Sequence, residues 1–397
     1  MQFQNSPLGD GMHEVYLDYN GSTPLDPRVA EAMIPTLRFG IGNASSAHRF
    51  GQRQAASVEH AREQVAALVD ASPSEVIFCS GATEANNLAL IGLAEGAPVE
   101  RNRIVISAIE HASVREPAQW LHEQGKAKVD MIGVTPGGSV DLEELDSLLS
   151  SDVLAVSIMA ANSETGVLNP ISDIAKLTQE VGAVFHCDAT QMVGRLPLSL
   201  RDTPIDLLSM SSHKICGPEG IGALIGTRHS LARLRPMIHG GSHERGLRSG
   251  SLNVVGIVGL GTASLLVSEE RDSESARVKK LRGQLVDGLR TELAGVHENG
   301  DPSKRLPNTA SVRFKGADAE AVVFNMDPVA VSTGSACSSG SIEPSRVLLA
   351  MGLSRDEAFE SVRFSLGRFT TEAEIKTAIR QTVKAVQHVR AMTESGS

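Results

Sequence analysis

A chain of 397 residues, 41% hydrophobic, is long enough for two or three domains around a large core. A formal net charge of −10 with only 3% aromatic residues argues against direct nucleic-acid binding and base-stacking platforms, and no run reaches the ~18 apolar residues of a membrane span. Cysteines at 79, 187, 216 and 337 form no Cys-x-x-Cys pair, and the first residues show no basic-then-apolar leader, so the expectation is a reduced, cytoplasmic protein with no disulfide framework and no metal site.

In chain order, residues 1–13 are polar, 15–18 read as a short strand, and Tyr19-Asn-Gly-Ser-Thr-Pro24 is a turn of small polar residues. Residues 28–39 predict a helix, 41–48 a loop, and 51–70 a long amphipathic helix. Strands are expected at 75–80, 103–108, 153–160 and 183–188, with Gly81-Ala-Thr-Glu-Ala-Asn-Asn87 opening a helix. Near-continuous apolar strands separated by helices predict an α/β fold with a mainly parallel sheet covered on both faces. An apolar run ending at Met210, a polar cluster through Lys214, a glycine-rich turn and a second apolar run ending at Ile225 predict two strands joined by a turn that carries one lysine. Beyond them, residues 269–293 form a charged amphipathic helix suited to connect domains, 304–331 read as short strands, 329–341 as a loop of small residues, 361–365 as a strand and 372–392 as the last helix. The division expected is a large domain over 24–268 and a smaller α+β domain built from 1–23 and 269–397.

Thr83, His111, Asn162, Asp188, Gln191 and Lys214 each follow a predicted strand, and in an open α/β sheet the carboxyl ends of the strands share one edge. Each has a plain structural reading alone; six at one edge make a site. Lys214, held by glycine-rich backbone, is either a solvated hairpin tip or a desolvated amine able to form a Schiff base. Ser80-Gly81-Ala82-Thr83 joins a strand to a helix N-terminus, where free N–H groups attract phosphate, while the glycine fingerprints of nucleotide sites are missing. Asp188 ends a very apolar strand, so its carboxylate needs a partner; it either caps the next helix or faces a protonated pyridine nitrogen. His111 either stacks on a ring or packs at a strand end. Cys337 differs from the other cysteines in its exposed small-residue setting, and is either an incidental surface thiol or a mobile nucleophile. The basic, glycine-rich stretch from Gly240 to Asn253 suits a phosphate across a subunit boundary, and Arg363 suits a bidentate clamp on a carboxylate.

Taken together, Tyr-Leu-Asp-Tyr-Asn-Gly-Ser-Thr-Pro, Ser-Gly-Ala-Thr-Glu, Glu-His, Asp-Ala-Thr-Gln, Ser-Ser-His-Lys, Glu-Arg-Gly-Leu-Arg-Ser-Gly and Ser-Thr-Gly-Ser-Ala-Cys-Ser-Ser resemble the cysteine desulfurases of the NifS/IscS type, group I, within the class-V aminotransferases, from Tyr16 to about residue 380. The resemblance implies a fold-type-I transferase dependent on pyridoxal 5'-phosphate, a homodimer that moves sulfur from L-cysteine to an acceptor protein or iron–sulfur scaffold. By it, Lys214 would carry the internal aldimine, Asp188 would pair with the pyridine nitrogen, Gln191 with the phenolic oxygen, and His111 would stack on the ring. Ala82, Thr83, Ser211 and His213 would hold the phosphate with Ser251 of a second subunit, Asn162 would lie at the cofactor, Arg363 and Ser163 would meet the substrate, and Cys337 would take the sulfur. Three departures stand out: Asn162-Ser-Glu replaces Asn-Asn-Glu, Gly21-Ser-Thr-Pro replaces Ala-Thr-Thr-Pro, and Gly217-Pro-Glu-Gly replaces Gly-Pro-Lys-Gly. Ser163, shorter than the family's asparagine, predicts a working but slower enzyme. Rival readings are another lyase of the same superfamily and a sulfur-carrier or scaffold-regulating subunit that turns over poorly.

Overall fold

The structure is a computed structural model that describes residues 14–333 and 343–395. Its strands are β1 (Val15–Tyr16), β2 (Val76–Cys79), β3 (Arg103–Ser107), β4 (Lys128–Ile132), β5 (Val153–Ser157), β6 (Val184–Asp188), β7 (Leu207–Ser211), β8 (Gly222–Gly226), β9 (Val296–Glu298), β10 (Thr309–Phe314), β11 (Val329–Ala330) and β12 (Ser361–Ser365). Seven form the main sheet in the order β2-β8-β7-β6-β5-β3-β4, with every pair parallel except the two made by β8. The expected mainly parallel, doubly covered sheet is therefore present.

Alternation along the strands feeds both covers. Val76 and Phe78 of β2 pack with the helix Arg49–Leu68 on one face, while Ile77 and Cys79 pack with the helix Ala82–Glu95 on the other. Where β8 passes the start of the latter helix, only glycine fits at 222: a Cβ there would lie 2.5 Å from Met210 O and 2.7 Å from Gly81 Cα. Since β2, β3, β5, β6 and β7 run the same way, their carboxyl ends meet at one edge, where the chain turns into 80–83, 110–111, 162–163, 188–191 and 211–214.

A second, antiparallel sheet has the order β12-β10-β9 and its own apolar core, which includes Val15 and Leu17 from the chain's beginning and Ile375, Val386 and Val389 from the last helix. The connecting helix runs from Val254 to Glu292, beginning 15 residues before the expected Glu269. Its first 15 residues, 254–268, are small or apolar and carry no charge to betray helical periodicity; Asn253 caps it by accepting from Gly256 N. Ile257, Leu260 and Val267 serve the main core, and Val278, Leu281, Leu285 and Leu289 serve the second. Residues 304–331, expected as strands alone, also hold a short helix, Ala319–Phe324, capped by Asp318. None of the described helices is long and apolar enough to cross a membrane.

Candidate active site

Lys214 ends the short 3-10 turn that follows β7. Its Nζ donates to Asn20 O at 2.6 Å and Gly21 O at 2.5 Å, so the turn after β1 wraps over the amine. Burial, then the charges of Arg195 and Arg363, pull the ammonium down to about 8, against opposing pulls from Asp18 and Asp188. A lysine in that range is in part a free amine near neutral pH, which is what a carbonyl-reactive lysine requires.

Asp188 closes β6, buried, with Oδ2 accepting from Asn86 Nδ2 at 2.8 Å and Oδ1 from Thr190 N at 3.0 Å. Asn86 lies one helical turn beyond Ala82 and its amide also donates to Ser113 Oγ at 2.8 Å. Ser113 in turn meets His111 Nδ1 through its hydroxyl at 2.8 Å and its backbone N–H at 3.1 Å. A hydrogen-bonded chain thus runs from Asp188 through Asn86 and Ser113 to His111. With Nδ1 accepting, neutral His111 carries its proton on Nε2, and burial followed by the Lys214 charge lowers its pKa despite Asp188. Beneath Asp188, His186 bridges Ser157 Oγ (2.7 Å) and Ser209 Oγ (3.0 Å), and burial holds it at about 4, neutral.

The helix Ala82–Glu95 begins after Gly81, which offers no side chain to cap it, so the N–H groups at Ala82 and Thr83 remain for an anion. A side chain at Gly81 would come within 3.7 Å of Ser211 Oγ, which places that hydroxyl at the same helix start. His213 contacts Ser22 Oγ at 3.2 Å through Nδ1, and burial and Lys214 hold it at about 4. Gln191 donates from Nε2 to Asn20 O at 3.1 Å. Arg363, in the second sheet, donates to Asp18 Oδ1 at 2.5 Å and Ser163 O at 3.2 Å, leaving its Nε buried and without a hydrogen-bond partner among the described residues. The carboxyl edge of the sheet therefore gathers Ala82, Thr83, His111, Asp188, Gln191, Ser211, His213 and Lys214, with Arg363 of the second sheet close enough to act on the Lys214 charge; Thr83 and His111 line one cavity there and Lys214 another.

Several expected residues stand differently. Asn162 spends Oδ1 on Glu164 N, Thr165 N and Thr165 Oγ1, and Nδ2 on Ile109 O and Met159 Sδ, so the cofactor contact expected of it finds no free polar atom on its side chain. Ser163 offers its backbone carbonyl to both Asn20 Nδ2 and Arg363. In the stretch from Gly240 to Asn253, Arg248 pairs with Glu84 and Arg245 donates to Val76 O and Pro73 O, which commits both arginines to their own chain. Ser251 is exposed and, among the described residues, no hydrogen bond joins it to the pocket. Cys337 lies outside the described residues; to either side of it, Ser332 pairs with the backbone of Arg363, and Ser345 Oγ donates to Glu164. The other three cysteines are buried, and burial pushes each thiol up, as inert thiols require. The residues not read from the sequence are Asp18, Asn20, Asn86, Ser113 and Arg195; Asn86 had a signal, its helical spacing from Ala82.

The family model for class-V aminotransferases matches residues 15–377. The chain belongs to that family. Within it, the relatives are cysteine desulfurases: one named Cysteine desulfurase IscS, from Anaeromyxobacter dehalogenans, is 44% identical over 380 residues, covering 96% of this chain and 94% of the relative. Among solved structures, a NifS-like protein superposes with a TM-score of 0.88 at 36% identity, covering 95% of this chain and all of that one. A structure of SspA in complex with cysteine matches with a TM-score of 0.80 at 33% identity, covering 90% of this chain and 100% of the other. The cluster built from strand ends thus sits in a class-V aminotransferase frame.

Proposed function

We propose that the protein is a pyridoxal-phosphate-dependent cysteine desulfurase that converts L-cysteine to L-alanine and passes the sulfur, as a persulfide on Cys337, to an acceptor protein. The observation that carries this is the depressed amine of Lys214 at the same strand-end edge as the buried carboxylate of Asp188, which acts on its charge, and the uncapped helix start at Ala82–Thr83. That donor set fits the cofactor: a free amine for its aldehyde, a buried anion for its pyridine N–H, and unclaimed N–H groups for its phosphate. When bound, the cofactor supplies an electron sink for bond cleavage at the substrate's carbons.

The chain's own residues then have separate tasks. Lys214 binds the cofactor and exchanges protons at Nζ. Asp188, fixed by Asn86 and Thr190, would hold the ring nitrogen in its protonated form. His111, neutral with its proton on Nε2, can hand that proton on. Arg363 takes the carboxylate of cysteine, the molecule with which the similar SspA is in complex. Cys337 would attack the cysteine sulfur: a new S–S bond forms as the C–S bond breaks, the thiol proton leaves to a base, the C–S electron pair stays with the carbon, and that carbon takes up a proton so that the skeleton departs as alanine. In support, Ser332 and Ser345 on either side of Cys337 are held beside Arg363 and Glu164.

On this reading residues 24–268 bind the cofactor and 1–23 with 269–397 carry the nucleophile. The enzyme acts as a cytoplasmic homodimer in which Ser251 reaches the second subunit's phosphate site. Leu37, Phe39 and Ile41, each about 70% exposed, support it, because Ser45 of the same stretch bonds to His243 next to the Ser251 loop. Iron–sulfur assembly, tRNA thiolation and DNA phosphorothioation would all draw on the same persulfide.

The test is product analysis. Cofactor-loaded protein given L-cysteine and a thiol reductant is expected to release alanine and sulfide in equal amounts, and Lys214→Ala to release neither. Pyruvate in place of alanine, or normal turnover by Lys214→Ala, would refute the assignment.

A further inference from the structure

Behind Lys214 stands Arg195, a partly buried guanidinium for which the proposed reaction has no use. Among the described residues, its hydrogen bonds go only to uncharged oxygens: Gln191 O at 2.6 Å, Gln191 Oε1 at 2.8 Å and Tyr19 O at 3.4 Å. A cation taken out of water without a paired carboxylate is retained at a cost, which points to a task.

The task is legible in the bonds around Gln191. Its Oε1 faces Arg195 Nη1, and its Nε2 faces Asn20 O at 3.1 Å. Rotating the amide by half a turn would set an NH2 against a guanidinium N–H at one end and an oxygen against a carbonyl at the other. The orientation is therefore fixed from both sides, and Asn20 O is the same atom that accepts from Lys214 Nζ. A continuous chain links Arg195, Gln191, the Asn20 carbonyl and Lys214.

We propose that Arg195 is a positioning residue: it locks the Gln191 amide with its donor nitrogen turned into the lysine pocket, and it sets a fixed positive charge behind Lys214. The first effect leaves the second N–H of Gln191 Nε2 aimed at whatever acceptor enters. The second works through space: burial disfavours the Lys214 ammonium most, Arg195 and then Arg363 add to it, and Asp18 and Asp188 oppose it. Arg195 itself stays cationic at neutral pH; burial draws it to about 10, Cys216 and Glu274 oppose that shift, and Arg363 reinforces it. This inference rests on the reading of Lys214 as the cofactor-bearing lysine.

The test measures the Lys214 amine directly. In the full-length, cofactor-free chain, competitive labelling with trace acetic anhydride followed by mass spectrometry gives the reactivity of Lys214 against pH. The wild type is expected to titrate near 8. Arg195→Met should move the midpoint upward and cut labelling at neutral pH several-fold, and Arg195→Lys, which keeps the charge, should bring both back. Arg195→Gln carries the same test should Arg195→Met not fold, because it retains a donor for Gln191 Oε1 and drops the charge. In the loaded enzyme, kcat should fall in the neutral variants with KM for cysteine little changed. A purely structural arginine would lower the melting temperature and leave the midpoint in place; an unmoved midpoint in the folded neutral variants overturns the inference. Failure of the underlying reading looks different: Lys214→Ala would then keep the wild-type visible absorption band.

Discussion

The most informative perturbation is at Arg363. Its side chain is only 10% exposed, and among the described residues two of its five N–H groups are engaged, one with Asp18 Oδ1 and one with Ser163 O. That leaves Nε–H and one N–H on each terminal nitrogen for an incoming carboxylate, enough for a bidentate, charge-assisted contact in a largely desolvated setting. Losing such a contact costs about 2–4 kcal/mol, so Arg363→Ala should raise the KM for L-cysteine roughly 30- to 900-fold. Arg363→Lys keeps the charge without the planar fork and should fall between the two. The assay is initial-rate alanine formation over a wide cysteine range, with cofactor content checked by absorbance so that an empty site is not scored as weak binding. Because the Arg363 charge also disfavours the Lys214 ammonium, the alanine variant should need a higher pH for half-maximal Lys214 reactivity. A reduced kcat at unchanged KM would refute the carboxylate-binding role, since it would mean that Arg363 contributes only after the substrate is held.

Three further outcomes are expected. Cys337→Ser should keep the cofactor spectrum and its response to added cysteine but release no alanine, because a hydroxyl cannot take the sulfur; full alanine production would move the nucleophile to another cysteine, with Cys216 the next candidate. Ser163→Asn restores a longer amide beside Arg363, and one regained neutral hydrogen bond is worth about 0.5–1.5 kcal/mol, so kcat/KM should rise several-fold; no gain, with the amide seen in the pocket, would show that serine suits this enzyme. Glu110 is buried, with Oε1 accepting from Ser107 Oγ and Met159 N, and burial pushes it up to about 8. The folded chain therefore keeps a proton that the unfolded chain releases above ~4.3, and stability should decline between that pH and about 8 by up to ~1.4 kcal/mol per unit. Glu110→Gln keeps the accepting oxygen and removes the titration, so its melting temperature should fall less than the wild type's over that window; parallel curves would remove Glu110 as the cause.

What the sequence disclosed and what it hid follow from the range of the interactions. Lys214 and Asp188 were legible because an apolar strand that stops at a polar residue is a local pattern, and parallel topology then gathers such ends without any knowledge of contacts. The strand β4 was not foreseen: it is an edge strand whose Lys128 and Met131 are exposed, so it lacks the apolar run that marked its neighbours. Arg195 and Asn20 escaped for another reason. Their meaning lies in pairings such as Gln191 with Asn20, 171 residues apart, and no periodicity encodes a partner at that distance. The polar clusters that looked catalytic were also mixed in kind: Asn162 is consumed by its own turn and Arg248 by Glu84, because short polar side chains and arginines in loops often satisfy local backbone or neighbouring charges.

One segment near the amino end has an unusual standing. Val15 and Tyr16 pair with Val329 and Ala330, and within the next seven residues Asp18 meets Arg363, Asn20 O and Gly21 O receive Lys214, Ser22 meets His213, and Thr23 binds Cys216 N. A stretch that many enzymes can trim or fuse without penalty is here bonded to Lys214, His213, Cys216 and Arg363 of the candidate site. A proteolytic nick between residues 16 and 24 would act as a lesion of that site, loosen Leu17 in the second core and leave the main core in place. It would free the lysine from the two carbonyls that restrain it and remove the counter-ion of the arginine opposite. Such a clipped preparation would look folded and be silent in assay, and an affinity handle tethered tightly against Val15 would share part of that fate.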